Sequence, residues 1–517
     1  MRHALLAPLA LTALIGLAAP LHAADTSKHD AKVQPDKADK KAELPIPPEH
    51  SAVTSHSVTI DGRSIAYKAT AGTLLIKDDK GKPTVSVFYV AYTVDGGKAA
   101  NRPVTFLYNG GPGSSSMWLH MGSFGPVRVA NQGDKPIPPP PYDTVPNQYS
   151  LLDKSDLVFI DAPGTGYSRL VGDAKGKDFY GIDQDAVAFA KFITRYVGDN
   201  HRWNSPKFLF GESYGTTRSA VLAQVLQEQG MELNGIVLMS SILDFNVWST
   251  TGVDHAYIVN LPTEAAIAWY HNKVPNKPAD IASFIDGVRR FASTDYMLAL
   301  AKGDALSPAE ADRIADQLNQ YTGLSTSYIK QANLRIDPSR FRKELLRDQR
   351  RTVGRLDGRF EGIDGDAAGE TPDGDAASDA ATGAYNAAFN QYIDGTLHYS
   401  SDDAYLPNNY PVVGRSWDWK RKGQQFTSSP YVGRDLATAM RQNPHLKVFS
   451  ANGYYDLATP FYATEFDLGH LGLDPAIRKN IEFGFYQSGH MIYFDVDALK
   501  QVKADLARFY DEATPHS

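Results

Sequence analysis

The residues whose types and spacing most clearly suggest catalysis form the segment Gly-Glu-Ser-Tyr-Gly at 211–215. This segment follows an apolar run at 207–210 that predicts a buried strand, and it precedes a run of helical character at 216–227. A strained turn from strand to helix lifts a serine hydroxyl above a sheet, and flanking glycines let the backbone crowd that turn. The pattern therefore predicts that Ser213 is a nucleophile, with a merely structural turn as the alternative.

A serine hydroxyl needs a base that takes its proton and an acid that orients the base. In folds with this type of turn, the acid and then the histidine follow the serine along the chain. Asp456 comes after a predicted strand at 445–450, and His490 comes after another at 480–485. We therefore predict Ser213, Asp456 and His490 as a catalytic triad. The histidines that lack this combination of order, strand end and preceding glycine, and that we expect to be structural, include His120, His255, His271 and His470.

Acyl transfer also needs N–H donors directed at the developing oxyanion, each worth about 3 to 4 kcal/mol. The segment Asn-Gly-Gly-Pro-Gly at 109–113 follows a predicted strand at 104–108, where this type of fold contributes one backbone N–H. The residue after the nucleophile contributes the other. We therefore predict an oxyanion hole formed by Gly111 and Tyr214. A phosphate-binding loop is the alternative, but no Gly-Lys-Ser/Thr follows.

The elements that would position these residues follow a regular order. Short β-rich runs with Asp-Gly turns predict antiparallel hairpins at the start, and buried-type strands then alternate with helical segments. Such alternation indicates a mostly parallel sheet with helices on both faces. The predicted strands are 57–60, 85–92, 104–108, 156–160, 207–210, 445–450 and 480–485, and the predicted helices include 183–196, with Asp183 as its N-cap, and 497–510. We therefore predict an α/β-hydrolase fold with an inserted, mainly helical cap.

The start of the chain has the features of a secretory signal peptide, because a basic residue precedes an apolar run at 4–20 and a stretch of small residues. A membrane anchor is the alternative, but it needs about 20 apolar residues, and Pro8 and Pro20 interrupt this run. Export to the periplasm or the medium is therefore expected, with no stable membrane insertion afterwards. The predicted segments are a signal peptide at 1–23, a flexible linker at 24–50, the first part of the core at 51–245, a cap at 246–420 and the second part of the core at 421–517.

Composition excludes several classes of function. The 517 residues are 42% hydrophobic and 21% charged with a net charge of -7, so a disordered chain or a nucleic-acid-binding protein is not expected. The absence of cysteine excludes a thiol nucleophile and a cysteine-ligated metal. An acidic stretch at 362–383 contains two Asp-Gly-Asp groups, but their spacing does not match a calcium-binding loop. We expect a solvated loop there, and no metal or other cofactor.

Five motifs together resemble the serine carboxypeptidases, peptidase family S10, and suggest an exported bacterial member. They are Tyr-Asn-Gly-Gly-Pro-Gly-Ser-Ser-Ser at 108–116, Phe-Gly-Pro at 124–126, Asp-Ala-Pro-Gly-Thr-Gly-Tyr-Ser at 161–168, Gly-Glu-Ser-Tyr-Gly at 211–215 and Ser-Gly-His-Met at 488–491. The resemblance implies release of the C-terminal residue of a peptide through an acyl-enzyme intermediate, without a metal. It also implies that Asn109 and Glu212 bind the α-carboxylate of the peptide. Because two ionised carboxylates repel at close range, Glu212 must be protonated to do so, which favours acid pH.

The sequence departs from the family at three positions. Ser114 stands where the family has a cysteine, which is consistent with a chain without disulfides. Ser123 replaces an acidic residue, which predicts a weaker carboxylate-binding network and less strict selectivity for the chain end. Tyr493 stands where a proline often follows the histidine motif. Two other functions stay open: an esterase or acyltransferase with the same triad, and a catalytically idle binding protein.

Overall fold

The computed structural model describes residues 43–96, 102–131, 133–249, 254–424 and 429–514. Its strands are β1 Ser51–Ile60, β2 Arg63–Lys77, β3 Pro83–Val94, β4 Val104–Tyr108, β5 Val127–Val129, β6 Thr144–Pro146, β7 Asp156–Ile160, β8 Arg169–Leu170, β9 Lys207–Glu212, β10 Gly235–Met239, β11 Thr352–Val353, β12 Glu361–Gly362, β13 Lys447–Gly453 and β14 Ile481–Tyr486. Its helices are α1 Met117–Leu119, α2 Ile182–Asp199, α3 Tyr214–Glu228, α4 His255–Tyr270, α5 Ile281–Phe291, α6 Met297–Lys302, α7 Pro308–Thr322, α8 Thr326–Gln331, α9 Pro338–Glu344, α10 Ala376–Gly395, α11 Gly433–Gln442, α12 Phe461–Gly469, α13 Pro475–Arg478 and α14 Val496–Ala513.

Ten strands form one sheet in the order β1-β2-β3-β7-β4-β9-β10-β13-β14, with β8 paired to β3. The first three strands are antiparallel, as the Asp-Gly turn at 61–62 predicts, and the six strands from β7 to β14 are parallel. The carboxyl ends of the parallel strands therefore meet at one edge. That edge is where ligands bind in open α/β sheets.

The central strands are buried along their whole length because helices cover both faces of the sheet. Every residue of β4, β7, β9 and β10 is buried, which explains their continuous apolar sequences. Helices α2, α3 and α11 share one hydrophobic cluster with the sheet, and α10 and α14 share the other. This architecture confirms the predicted α/β-hydrolase fold.

Several element boundaries differ from the predictions. Strand β9 continues past 210, because Gly211 and Glu212 pair with Leu238 and Met239 of β10. Helix α2 is capped by Gly181 and not by Asp183. Asp183 already lies in the first turn, where its carboxylate accepts hydrogen bonds from Arg421 Nε (2.7 Å) and from a backbone N–H.

The segment between β10 and β13 contributes no strand to the main sheet among its described residues, and it contains helices α4 to α11, of which α4 to α10 lie within 246–420. This composition is compatible with a helical cap at 246–420, whose boundaries stay a prediction. The acidic stretch at 362–383 is more ordered than the predicted solvated loop. Asp364 forms a buried ion pair with Lys343 of α9, and Asp375 caps the N-terminus of α10 by accepting from the N–H of Ala377.

The described end of the predicted linker, residues 43–50, is attached to the domain. Leu44 exchanges two backbone hydrogen bonds with Gly172 (2.7 and 3.0 Å). Glu49 accepts a hydrogen bond from Arg195 Nη2 (2.9 Å), and His50 stacks on Tyr399. The predicted signal peptide and the rest of the linker lie outside the described residues. Within these residues, none of the helices combines the length and the apolar character that crossing a membrane requires.

Candidate active site

Ser213 lies at the sharp turn between β9 and α3. Its backbone has φ 60° and ψ -129°, a left-handed conformation that costs a non-glycine residue about 1 to 3 kcal/mol. Its N–H donates to the carbonyl of Met239 (3.0 Å), which ties the turn to the end of the neighbouring strand. A methyl group at Gly211 would overlap the carbonyl of Gly215. The two glycines of the motif therefore let strand and helix approach closely enough for this turn.

Asp456 and His490 meet in the loops that follow β13 and β14. His490 Nδ1 lies 2.8 Å from Asp456 Oδ2, and the aspartate is fully buried. Asp456 Oδ1 accepts from the N–H groups of Ala458 (2.8 Å) and Thr459 (3.0 Å), and the Thr459 hydroxyl donates to Oδ2 (2.6 Å). These bonds fix the position of the carboxylate that orients the imidazole.

The pKa of His490 is the result of opposing effects. Burial lowers the pKa of the imidazole, but the carboxylate of Asp456 and, to a smaller extent, that of Glu212 outweigh it and raise the pKa above its usual value. The raised pKa makes His490 a better proton acceptor.

A second ion-pair network holds the His490 loop. The N–H of His490 donates to the carbonyl of Leu356 (2.6 Å), and a methyl group at Gly489 would overlap the side chain of Asp357. Arg359 joins the two segments: it donates to Asp357 Oδ2 (2.7 Å) and to the carbonyl of Gln487 (3.0 Å). The imidazole is therefore positioned by residues more than a hundred positions away in sequence.

Ser213, Glu212 and His490 line one cavity of about 470 Å³ at the carboxyl edge of the sheet. The remaining lining residues are Asn109, Gly110, Gly111, Pro112, Ser114, Trp118, Trp248, Arg355, Leu356, Ser378, Asn408, Tyr410, Trp419 and Met491. Asp456 lies behind His490, away from solvent. The structure thus brings the predicted residues together, although the Ser213 hydroxyl is not hydrogen-bonded to His490. Such bonds often tighten only when substrate binds.

The predicted oxyanion donors lie where the 109–113 loop meets the N-terminus of α3. Among the described groups, no acceptor takes the N–H of Gly111 or of Tyr214. Gly111 has φ 104°, which a residue with a side chain rarely adopts. The sequence did not single out Gly110, yet a methyl group there would overlap the backbone nitrogens of Tyr214 and Gly215. This close approach brings the loop that carries Gly111 against the backbone nitrogen of Tyr214.

Asn109 and Glu212 lie at the buried side of the cavity. Asn109 Oδ1 accepts from the N–H of Leu119 (2.9 Å), which leaves its Nδ2 group to donate. Burial raises the pKa of Glu212 to about 7, while His490, Tyr493 and Asn109 act to lower it and Asp456 to raise it. Glu212 is therefore protonated in acid solution, as its predicted role requires.

Ser123 and Tyr493, where the sequence departs from the family pattern, differ in their relation to Asn109 and Glu212. The Ser123 hydroxyl is fully buried and donates to the carbonyl of Leu119 (2.6 Å), so it offers nothing to the cavity. Tyr493 lies close enough to Glu212 to influence its pKa, but its hydroxyl completes no hydrogen bond of ordinary geometry with a described residue. The same is true of Glu212 Oε2. The Glu212 carboxyl and the Tyr493 hydroxyl are therefore buried next to each other.

One group of potential metal ligands occurs among the described residues. Atoms of Asp244, His255 and Asp467 lie within 4.8 Å of one another. None of the three lines the cavity of Ser213.

Comparisons with known proteins agree with these motifs. The chain is 27% identical over 151 residues to serine carboxypeptidase-like 33 of Arabidopsis thaliana, and 31% identical over 146 residues to the pheromone-processing carboxypeptidase KEX1 of Saccharomyces cerevisiae. These matches cover 28% and 26% of this chain, and 29% and 19% of the relatives. The chain therefore matches less than a third of the length of either relative.

Solved structures similar to the chain include a proline iminopeptidase of Mycobacterium smegmatis, with 12% identity and a TM-score of 0.33. That match covers 89% of this chain and 99% of the other. A carboxyl esterase of Bacillus coagulans has 13% identity and a TM-score of 0.34, with 86% and 98% covered. The sequence profile described as serine carboxypeptidase, Peptidase_S10, matches residues 63–405, which is more than half of the chain. The chain therefore belongs to the serine carboxypeptidase family.

Proposed function

We propose that the protein is a serine carboxypeptidase that removes the C-terminal residue of peptides through an acyl-enzyme intermediate, with Ser213, Asp456 and His490 as its triad. The observation that carries the proposal is the hydrogen bond between His490 and the buried Asp456 (2.8 Å) beside the cavity that Ser213 lines. A serine that lines a cavity, an oriented imidazole and a buried carboxylate at one site are the parts that acyl transfer needs.

In the first half of the reaction, Ser213 Oγ attacks the carbonyl carbon of the last peptide bond while His490 Nε2 takes the hydroxyl proton. The negative charge on the former carbonyl oxygen is stabilised by the N–H groups of Gly111 and Tyr214. Collapse of this intermediate breaks the C–N bond, and His490 gives its proton to the departing amine. In the second half, His490 takes a proton from water, the hydroxide attacks the ester carbon, and the proton returns to Ser213 as the shortened peptide leaves.

Selectivity for the chain end is assigned to Asn109 and Glu212. The Nδ2 group of Asn109 and the protonated carboxyl of Glu212 each donate to the α-carboxylate of the peptide. Because the pKa of Glu212 is about 7, this recognition operates in acid solution and fails as the carboxyl ionises. We therefore propose that peptide hydrolysis is favoured at acid pH.

The test combines labelling with hydrolysis. A fluorophosphonate probe is expected to label the wild-type protein, and Ser213→Ala should abolish the label and the hydrolysis of an N-blocked dipeptide. The matched control is Ser114→Ala, a change at another serine that lines the cavity but whose hydroxyl donates only to the carbonyl of Ser115 (3.1 Å). This control should keep the label. Labelling that persists in Ser213→Ala would contradict the assigned nucleophile.

An esterase or acyltransferase is the second candidate, and the position of Ser123 favours it. The hydroxyl at this position is bonded to the Leu119 carbonyl and adds nothing to carboxylate binding. A dipeptide and its C-terminal amide separate the two functions. A carboxypeptidase should lose the amide as a substrate, whereas an esterase should hydrolyse small esters and discriminate little between the free and blocked chain ends.

We also propose that the protein is exported to the periplasm or the medium, on the basis of the signal-like sequence at 1–23. Cell fractionation with an antibody to the mature chain tests this proposal. N-terminal sequencing of the exported protein should find the first residues missing. Full-length protein that stays in the cytosol would contradict it.

A further inference from the structure

Arg355 lies at the wall of the cavity that contains Ser213 and His490. It also lines a neighbouring cavity of about 180 Å³, and Trp248 lines both cavities with it. The guanidinium carbon lies 5.7 Å from the centre of the Trp248 ring. Trp248 is itself held by a hydrogen bond from Nε1 to the carbonyl of Ala458 (2.9 Å), in the loop of the predicted catalytic aspartate. The guanidinium is therefore placed against a fixed aromatic surface at the edge of the active site.

The guanidinium of Arg355 has no ion pair or hydrogen bond with any residue in the described part of the chain. Neighbouring arginines are different: Arg359 pairs with Asp357 and Asp495, and Arg342 donates to two backbone carbonyls. Asp375 does accept a hydrogen bond from Arg355, but from its backbone N–H (3.1 Å) and not from the side chain. The side-chain donors of Arg355 are thus not used by any described residue, and the residue lines the cavity of Ser213.

The charge of the cavity favours an anion. Of the described residues that line it, Glu212 is the only one with a carboxyl group, and that group is protonated in acid solution. The positive charge of Arg355 acts to lower the pKa of His490, so the guanidinium is close enough to influence the reacting group. Arginine stays charged at every pH of interest and binds carboxylates through two parallel hydrogen bonds. In acid solution a negatively charged group of a ligand would meet the guanidinium and the His490 imidazole, whose pKa is raised, and no ionised carboxyl among the described lining residues.

We propose that Arg355, supported by Trp248, binds a carboxylate of the peptide substrate inside the active-site cavity and determines which peptides are hydrolysed. This inference rests on the proposed function. The carboxylate can come from an acidic side chain next to the scissile bond or from the chain end itself. The chain end is a candidate because Ser123 replaces the acidic residue that the family has in its carboxylate-binding network. A peptide with a basic side chain at the same place would be repelled.

The test uses N-blocked dipeptides in which Glu is compared with Gln at each of the two positions, because the two side chains have the same shape and differ in charge. A small neutral ester without any carboxylate serves as the reference substrate. The variants are Arg355→Met, which removes the charge, and Arg355→Glu, which reverses it. Arg434→Met is the matched control, because Arg434 is exposed on α11 and does not line the cavity.

If the carboxylate is that of a side chain, the wild type should prefer Glu over Gln by about 10-fold or more in kcat/KM. Arg355→Met should remove this preference with little change for the Gln peptide, and Arg355→Glu should favour Lys. If the carboxylate is that of the chain end, Arg355→Met should instead lower kcat/KM for all peptides with a free C-terminal carboxyl group by about 10-fold or more, mainly by raising KM. In both cases the loss for the peptide should exceed any loss for the ester, which has no carboxylate and reports only the effect of the lost charge on His490.

The proposal is overturned if Arg355→Met leaves both the Glu preference and the KM of free-acid peptides at wild-type values. It is also overturned if ester and peptide hydrolysis fall in proportion, since that indicates a general defect of the site. Fluorophosphonate labelling shows that each variant is folded. Failure of the proposed function looks different, because the wild type itself would then hydrolyse the ester and no peptide.

Discussion

Arg218 of α3 forms a buried ion pair with Asp185 of α2, with Nε 2.7 Å from Oδ2 and Nη2 3.2 Å from Oδ1. The remaining terminal nitrogen, Nη1, donates to the carbonyl of Asn109 (2.8 Å). The guanidinium therefore joins the helix that begins after Ser213 to the loop of the predicted oxyanion donor. Its position fixes two parts of the site relative to each other.

The first prediction concerns this ion pair. Asp185→Asn is expected to lower the free energy of unfolding by about 3 to 5 kcal/mol, because it leaves a buried guanidinium without its counter-charge. Arg218→Met should cost a similar amount and should also release the Asn109 carbonyl. Urea unfolding followed by fluorescence measures both changes.

The double variant Asp185→Leu/Arg218→Met is the control for this prediction. Because it buries no unpaired charge, it should recover part of the lost stability, while activity stays low since the Asn109 carbonyl remains unbound. Single variants that unfold at the wild-type urea concentration would show that the pair contributes nothing. Full activity in the double variant would show that Arg218 does not position the loop.

The second prediction concerns the pH dependence that Glu212 imposes. The pKa of its carboxyl is about 7, so kcat/KM for a peptide should fall as pH rises through about 7. Glu212→Gln cannot ionise and should keep its peptide hydrolysis above that pH. Below that pH Glu212 is already uncharged, so the acid limb of the profile should be the same in the wild type and in Glu212→Gln. Profiles of kcat/KM against pH, for a peptide and a neutral ester, measure these shifts.

The same shift predicts an effect on stability. The pKa of Glu212 is raised above its unfolded value of about 4.5, so the folded state binds the proton more tightly. The protonated carboxyl therefore contributes to the free energy of unfolding below about pH 4.5, and this contribution is lost as pH rises through about 7. Glu212→Gln should remove this part of the pH dependence of unfolding. If the free energy of unfolding falls identically in the wild type and in Glu212→Gln as pH rises through about 7, the titration belongs to another group.

Much of the site could be predicted because its chemistry leaves local signals. A nucleophile on a strand-to-helix turn needs glycines beside it, so the segment at 211–215 is recognisable without any tertiary information. Asp456 and His490 follow apolar strands, and the carboxyl ends of parallel strands share one edge of the sheet. Order along the chain and strand ends were therefore enough to bring three distant residues to one place.

The residues that hold the site could not be predicted in the same way. Arg218 and Arg359 look like ordinary surface residues in sequence, because their partners come from other segments and a lone arginine has no periodic signal. Their burial is only possible once Asp185, Asp357 and Asp495 fold around them. The prediction of Asp183 as the N-cap of α2 was wrong for a related reason. Its carboxylate accepts a hydrogen bond from Arg421, a residue distant in sequence, and does not cap its own helix.

The third prediction concerns Gly110, where a methyl group would overlap the backbone nitrogens of Tyr214 and Gly215. Gly110→Ala should displace the loop from the N-terminus of α3 and lower kcat by about 100-fold or more, the effect of losing one oxyanion donor. Gly287→Ala on α5 is the control, because its nearest neighbours lie 4.0 Å from the added methyl group. Steady-state kinetics with an ester measure both. Wild-type kcat in Gly110→Ala would mean that the close approach does not position the donors.

The last prediction separates the two side chains that contact His490 Nδ1. Asp456 Oδ2 lies 2.8 Å from this nitrogen and the Thr459 hydroxyl 3.2 Å, while the hydroxyl donates to the same carboxylate oxygen at 2.6 Å. Asp456→Asn should lower kcat by about 10⁴-fold, because an amide can hold the imidazole in the wrong tautomer. Thr459→Val keeps the shape and the carboxylate, so its effect should be much smaller.

The pH profile distinguishes a role of Thr459 in tuning the site from one in packing. Without the hydroxyl, the Asp456 carboxylate loses one stabilising hydrogen bond and attracts the imidazolium more strongly, so the pKa of His490 should rise. The acid limb of kcat for Thr459→Val should therefore move to higher pH, and Thr459→Ser should restore its position. A fall in kcat of equal size in Asp456→Asn and Thr459→Val would contradict this division, because it would make the hydroxyl and not the carboxylate the group that orients His490.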